Sequence, residues 1–172
     1  KALGVATEPY FETELNQKHM TSVHPRSAAG LLLSSMRLPL EINSVASSYG
    51  VGGFGQSTAE FIATWFKHNE AQANEIPTFI KNIFYQYRGL FDLNSDLQKI
   101  KPSGADLITQ LMGKITYFDP EVMHSKSLNW VFTELDFDII STGVKVPTHE
   151  HLALLDLKSL EPLCSVAEQV LA

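Results

Sequence analysis

The chain has 172 residues, with 13 basic and 19 acidic side chains and a formal net charge of −6. Apolar residues make up 44% and charged residues 19%, which are globular values and exclude a disordered or low-complexity chain. The acidic balance argues against a broad nucleic-acid or anionic-membrane surface. The single cysteine, Cys164, rules out an internal disulfide and a multi-cysteine zinc site. No apolar run reaches the roughly 18 residues of a membrane span, and no signal peptide opens the chain. A reducing cytoplasm is therefore the expected compartment. The length suits one domain, and Lys1 in place of an initiator methionine points to a processed, cut or internal start.

In chain order, residues 24–36 read as a short helix after Pro25, carrying Ala28, Ala29, Leu31, Leu32 and Leu33. Residues 37–48 alternate, with Leu38, Leu40 and Ile42 on one face and Glu41 and Asn43 on the other, as a half-buried strand does. A glycine-dense run, Gly50-Val51-Gly52-Gly53-Phe54-Gly55, follows. Beyond it Phe61, Ile62, Trp65 and Phe66 recur at helical spacing, and Ser57 with Glu60 forms a capping-box pattern. Residues 68–76 read as a polar loop. A second helix starts near Pro77, with Phe79, Ile80, Ile83, Phe84, Tyr87, Leu90 and Phe91 on one stripe. A third follows Pro102-Ser103-Gly104, with Leu107, Ile108, Leu111 and Met112 inward and Gly113 as its stop. Strands are expected at 114–118, 128–134 and 137–141, then a helix from about Thr148, interrupted near Pro162. Grouped strands and grouped helices favour α+β over a doubly wound sheet.

Gly50 to Gly55 matches G-x-G-x-x-G by letter. The preceding segment is too polar for a buried parallel strand, and no second strand ends in an acidic residue about 20 positions on, which weighs against a dinucleotide turn. A second reading is a polyphosphate cradle of glycine N–H groups, completed by the helix start near Ser57. A third is a plain strand-to-helix turn with Ser57 as N-cap. Asp106 has two readings too: a carboxylate available for proton transfer, or the N3 member of a capping box begun by Ser103.

Three segments occur in an order that resembles the GHMP kinases, a superfamily of galactokinases, homoserine kinases and mevalonate kinases. Gly53-Phe54-Gly55-Gln56-Ser57-Thr58-Ala59 is similar to their G-L-G-S-S-A-A loop. Lys101-Pro102-Ser103-Gly104-Ala105-Asp106 resembles the P-S-G-x-D motif of the mevalonate branch, and Ser141 to Thr148 resembles the segment around T-K-V-P. The resemblance covers about residues 37–160.

It implies the two-layer α+β N-terminal domain of that family over residues 1–160, with a left-handed βαβ crossover and its first strands missing. Residues 161–172 would begin the connection to a ferredoxin-like C-terminal domain largely absent from this chain. It implies ATP- and Mg²⁺-dependent phosphoryl transfer to a small alcohol, with mevalonate or a related isoprenoid-pathway acid as the nearest acceptor. Gly52, Gly53, Gly55, Gln56, Ser57 and Thr58 would hold the nucleotide, and Ser57 would touch Mg²⁺. Asp106 and Lys145 would act on the acceptor, and Ser103, Gly104 and Thr142 would bind it. Asp92 and Asp96 are the nearest acidic residues to the family's Mg²⁺-binding glutamate. The family's G-E-H and C-terminal glycine motifs do not occur, so the resemblance implies a portion of a longer enzyme. The expected partner is a small-molecule substrate, with no nucleic acid and no membrane; a homodimer is left open. The competing classes are a non-catalytic metabolite-binding member and a dinucleotide-binding oxidoreductase.

Two other clusters carry no site. His149 and His151 lie two apart at a helix start and point about 200° apart, so they do not face one metal ion. Cys164, among Leu160, Leu163 and Val166, reads as a small buried hydrophobe.

Overall fold

The computed structural model describes residues 2–5, 11–12, 20–43, 45–47, 55–69, 76–92, 102–129, 134 and 162. Their elements run β1 (Ala2–Val5), β2 (Phe11–Glu12), β3 (Met20–Ser22), α1 (Ala28–Ser35), β4 (Glu41–Asn43), β5 (Ala46–Ser47), α2 (Gln56–His68), α3 (Ile76–Asp92), α4 (Ala105–Met112), β6 (Ile115–Asp119) and β7 (His124–Leu128). The result is a mixed α+β arrangement of four helices and short sheets.

The helices form where apolar stripes can be buried against one another. In α1 every residue from Ala28 to Leu33 is buried, so the segment is a core helix rather than an amphipathic one. Ser27 caps it: its Oγ accepts from the Gly30 N–H at 3.1 Å and donates to the His24 carbonyl at 2.8 Å. Phe61 and Trp65 of α2, Ile83 and Phe84 of α3, and Leu107 and Ile108 of α4 are almost fully buried in one core with Leu32 and Phe118. Rings interlock there edge to face, Phe61 with Tyr87 at 5.0 Å and Phe84 with Phe118 at 5.3 Å between centroids. A second, smaller cluster joins Val23, Ala29, Leu33 and Ile42.

Every strand pairing among the described residues is antiparallel: β1 and β7 flank β6, β2 pairs with β5, and β3 pairs with β4. The expected βαβ crossover is therefore not among the described strands. Among the described residues of the strand expected over 37–48, only Glu41–Asn43 and Ala46–Ser47 are paired. Arg37 turns with φ 56° and Pro39 has no N–H to offer a ladder. Leu38, Leu40 and Ile42 still face the core as the alternation predicts.

The expected third helix and the strand after it appear within a residue or so of their predicted bounds. Besides β1, β6 pairs with β7, a strand ending at Leu128 that was not expected, while most of the strand expected over 128–134 lies outside the described residues. β7 follows a tight turn in which Asp119 Oδ1 accepts from the Glu121 N–H at 3.0 Å. The expected strand at 137–141 and the helix from Thr148 lie outside the described residues, apart from Pro162, which is helical.

Candidate functional site

Two helices begin in the same way, and their beginnings meet. The N-cap of α2 is Gly55, with φ +79°, and the N-cap of α4 is Gly104, also at φ +79°. Neither helix has a side-chain hydrogen bond closing its N-terminus at the cap. This corrects both capping-box expectations. Ser57 lies in the first turn of α2, and Glu60 instead accepts from Gln56 Nε2 at 3.1 Å. Ser103 Oγ accepts from the Ala105 N–H at 3.2 Å, and Asp106 falls at N2 rather than N3. The physical reason is the left-handed turn: a glycine enters it without a Cβ penalty, and its carbonyl then takes the first helical bonds. The Gly55 carbonyl accepts from Thr58 and Ala59, both at 3.0 Å, and that of Gly104 from Ile108 at 3.0 Å.

Both caps are also closed against side chains. A Cβ built on Gly104 would lie 2.5 Å from Phe84 Cε2. One built on Gly55 would lie 2.5 Å from Gln110 Nε2 and 3.6 Å from Asp106 Oδ2. The second observation joins two motifs from distant parts of the chain. A Cβ on Gly55 would be at ordinary contact distance from Asp106 and would collide with Gln110, so the end of the glycine run lies close to both. Ser57 and Asp106 are exposed, Thr58 and Gly104 are buried, and Gln56 is half-buried.

Behind this junction lies Tyr87 of α3, 7% exposed. Burial raises the pKa of its phenol above 10.0; a hydrogen bond with the Thr58 side chain opposes that, and the negative charge of Asp106 pushes the same way as burial. The folded state thus holds this proton more tightly than the unfolded chain does. The associated stability is fully present below about pH 10 and is lost as pH rises beyond it. Tyr87→Phe is therefore expected to cost about 1 kcal/mol at pH 8 through the lost Thr58 bond. Its deficit relative to wild type should narrow above pH 10, as read from urea unfolding at the two pH values. A deficit that stays constant would remove Tyr87 from the alkaline transition.

Arg88 stacks its guanidinium over the Phe84 ring at 5.5 Å, and its Nε is buried without a hydrogen-bond partner. A shallow groove lies elsewhere, lined by Glu41, Asn43, Thr64, Lys67 and His68. Lys67 Nζ donates to Asn43 Oδ1 at 2.7 Å there, at the opposite end of α2 from Gly55.

Of the residues expected to form the site, Gly55, Gln56, Ser57, Thr58, Ser103, Gly104 and Asp106 are described, and they belong to the two converging helix starts. Gly52, Gly53, Thr142 and Lys145 lie outside the described residues, as do His149, His151 and Cys164. Gln110 and Tyr87 were not expected at the site. Tyr87 was legible only as a ring on an apolar stripe, and nothing in the local pattern marks Gln110. Among the described residues no group of three His, Cys, Asp or Glu side chains is placed to hold a metal ion. No helix among them is long and apolar enough to cross a membrane. Compared with protein-family models, curated proteins and solved structures, the chain matches none.

Proposed function

We propose that this chain carries the nucleotide loop and the acidic residue of an ATP- and Mg²⁺-dependent small-molecule kinase of the GHMP type. The acceptor alcohol is mevalonate or a related isoprenoid-pathway acid. One observation carries the reading: Gly55, closing the glycine run, stands close to Asp106, in the P-S-G-x-D-like segment, since a Cβ built on Gly55 would lie 3.6 Å from Asp106 Oδ2. Phosphoryl transfer needs a phosphate cradle and a proton acceptor side by side, and two motifs far apart in sequence meet here.

The chemistry follows from the residues. The first N–H groups of α2, at Gln56 and Ser57, have no intrahelical acceptor and lie at the positive end of a 13-residue helix, which suits phosphate oxygens. Asp106, exposed at the start of α4, takes the acceptor's hydroxyl proton as its oxygen attacks the γ-phosphorus in line; the bond to the bridging oxygen breaks and ADP leaves. Mg²⁺ prefers hard oxygen ligands and keeps several from phosphate and water. The exposed Ser57 hydroxyl is an oxygen ligand of that kind, and Ser57 is the residue that would hold the ion. When bound, Mg²⁺ would neutralise phosphate charge.

A second reading, a metabolite-binding member without turnover, has one observation in its favour. The Gln56 amide, standing where the family has a serine, is engaged by Glu60 within α2. One experiment separates the two: ATP consumption by the full-length protein with mevalonate, phosphomevalonate and a panel of sugars, alongside calorimetric ATP binding with and without Mg²⁺. Transfer to any acceptor supports the kinase. Binding without transfer supports the second reading, and neither binding nor transfer removes both.

A further inference from the structure

We propose that Gln110 is a positioning residue that ties Gly55 and the start of α2 to the helix that carries Asp106; this rests on the kinase reading above. Asp106 and Gln110 are four residues apart on α4, so they share one face of the helix. Both lie near Gly55: a Cβ built there would stand 3.6 Å from Asp106 Oδ2, and Gln110 Nε2 donates to its carbonyl at 3.1 Å across 55 positions of sequence. That carbonyl is also the acceptor for the first two bonds of α2, to the Thr58 and Ala59 N–H groups. A single oxygen thus fixes how α2 starts and how far its start lies from α4. Gln110 supplies the only one of these three bonds that crosses between helices.

A second tie runs parallel to it. Tyr87 of α3 hydrogen-bonds the Thr58 side chain on the next turn of α2, while lying close enough to Asp106 to feel its charge. Thr58 and Tyr87 are buried and Gln110 is half-buried, whereas Asp106 and Ser57 are exposed. The supports thus lie beneath the groups assigned to the chemistry. In-line transfer is sensitive to displacements near 1 Å, which cost on the order of a hundredfold in rate. A bond that sets the spacing between the phosphate cradle and the proton acceptor acts on turnover rather than on ground-state nucleotide affinity.

The test uses the full-length protein with Gln110→Met, which keeps length and removes the donor, and Gln110→Glu, which puts a carboxylate against the Gly55 carbonyl and Asp106. For Gln110→Met we expect kcat to fall on the order of tenfold to a hundredfold, with KM for ATP changed less than about threefold. The Glu variant is expected to fall further. Amide hydrogen exchange at Thr58 and Ala59, measured without nucleotide, should accelerate in both variants while exchange in α3 stays unchanged. Wild-type kcat together with wild-type exchange in Gln110→Met would overturn the tie. Equal losses in both variants that track a lowered melting temperature would also overturn it, by making Gln110 a packing residue. Faster exchange in the variants of a wild-type protein that transfers no phosphoryl group would keep the tie and overturn the kinase reading instead.

Discussion

Asp106→Asn is expected to lower kcat for phosphoryl transfer by about two to four orders of magnitude while leaving the calorimetric affinity for MgATP within about threefold. The amide keeps the shape of the carboxylate and cannot take the acceptor's proton. Because the side chain is exposed at N2 of α4, the substitution disturbs no packed contact. Its structural cost is confined to the lost interaction of a negative charge with the helix N-terminus, about 0.3–1 kcal/mol. Loss of turnover with a near-normal melting curve therefore separates chemistry from folding. A second, activity-free readout comes from Tyr87. The Asp106 charge helps to hold the Tyr87 phenol above its ordinary pKa, so removing that charge should move the tyrosine titration downward in near-ultraviolet absorbance. A fully active Asp106→Asn enzyme would remove Asp106 from the mechanism. An unmoved Tyr87 titration would contradict the proximity of the two groups.

What the sequence made legible at this site was the glycine and polar residues of two helix starts, and what it concealed was how they are held. The stripes of α2, α3 and α4 are dense in aromatic and branched residues, and burial of such stripes dominates local preference, so these helices lie where periodicity places them. β7 reads His-Ser-Lys-Ser-Leu, with His124, Lys126 and Ser127 exposed. Its place is set by hydrogen bonds to β6 and a four-residue turn, which leave no hydrophobic signature. The caps depart from the sequence pattern for a related reason. Ser57 and Ser103 carry the composition of N-caps, but a glycine two residues before Ser57 and another directly after Ser103 start the helices with left-handed turns. Side-chain capping patterns compete with backbone geometry, and here geometry decides. Gln110 is the extreme case, because its partner is a backbone carbonyl 55 positions away, and a main-chain oxygen leaves no trace in a sequence.

Trp65→Ala is expected to destabilise the protein by about 3–5 kcal/mol, a large share of the roughly 5–15 kcal/mol that holds a domain together. Trp65 is 1% exposed at the centre of α2. Its ring lies 5.5 Å from that of Phe79 on α3 and 5.6 Å from that of Phe66, and its Nε1 donates to Gln86 Oε1 at 2.6 Å. Truncation would open a cavity between two helices and leave the Gln86 oxygen without its partner. Trp65→Phe, which keeps a ring but loses the N–H and some volume, should cost less, about 1–2 kcal/mol. Denaturant unfolding followed by circular dichroism ranks the three proteins. The comparison also separates scaffold from site. Trp65 lies two turns or more along α2 from Gly55, so its loss should lower nucleotide affinity and turnover together, in step with the melting temperature. On the proposed kinase reading, Asp106→Asn and the Gln110 variants are expected to lower turnover while stability holds. If Trp65→Ala unfolded like wild type, the aromatic set of α2 and α3 would not be what fixes α2, and the placement of Gly55 against Asp106 would have to rest on the α2–α4 contacts alone.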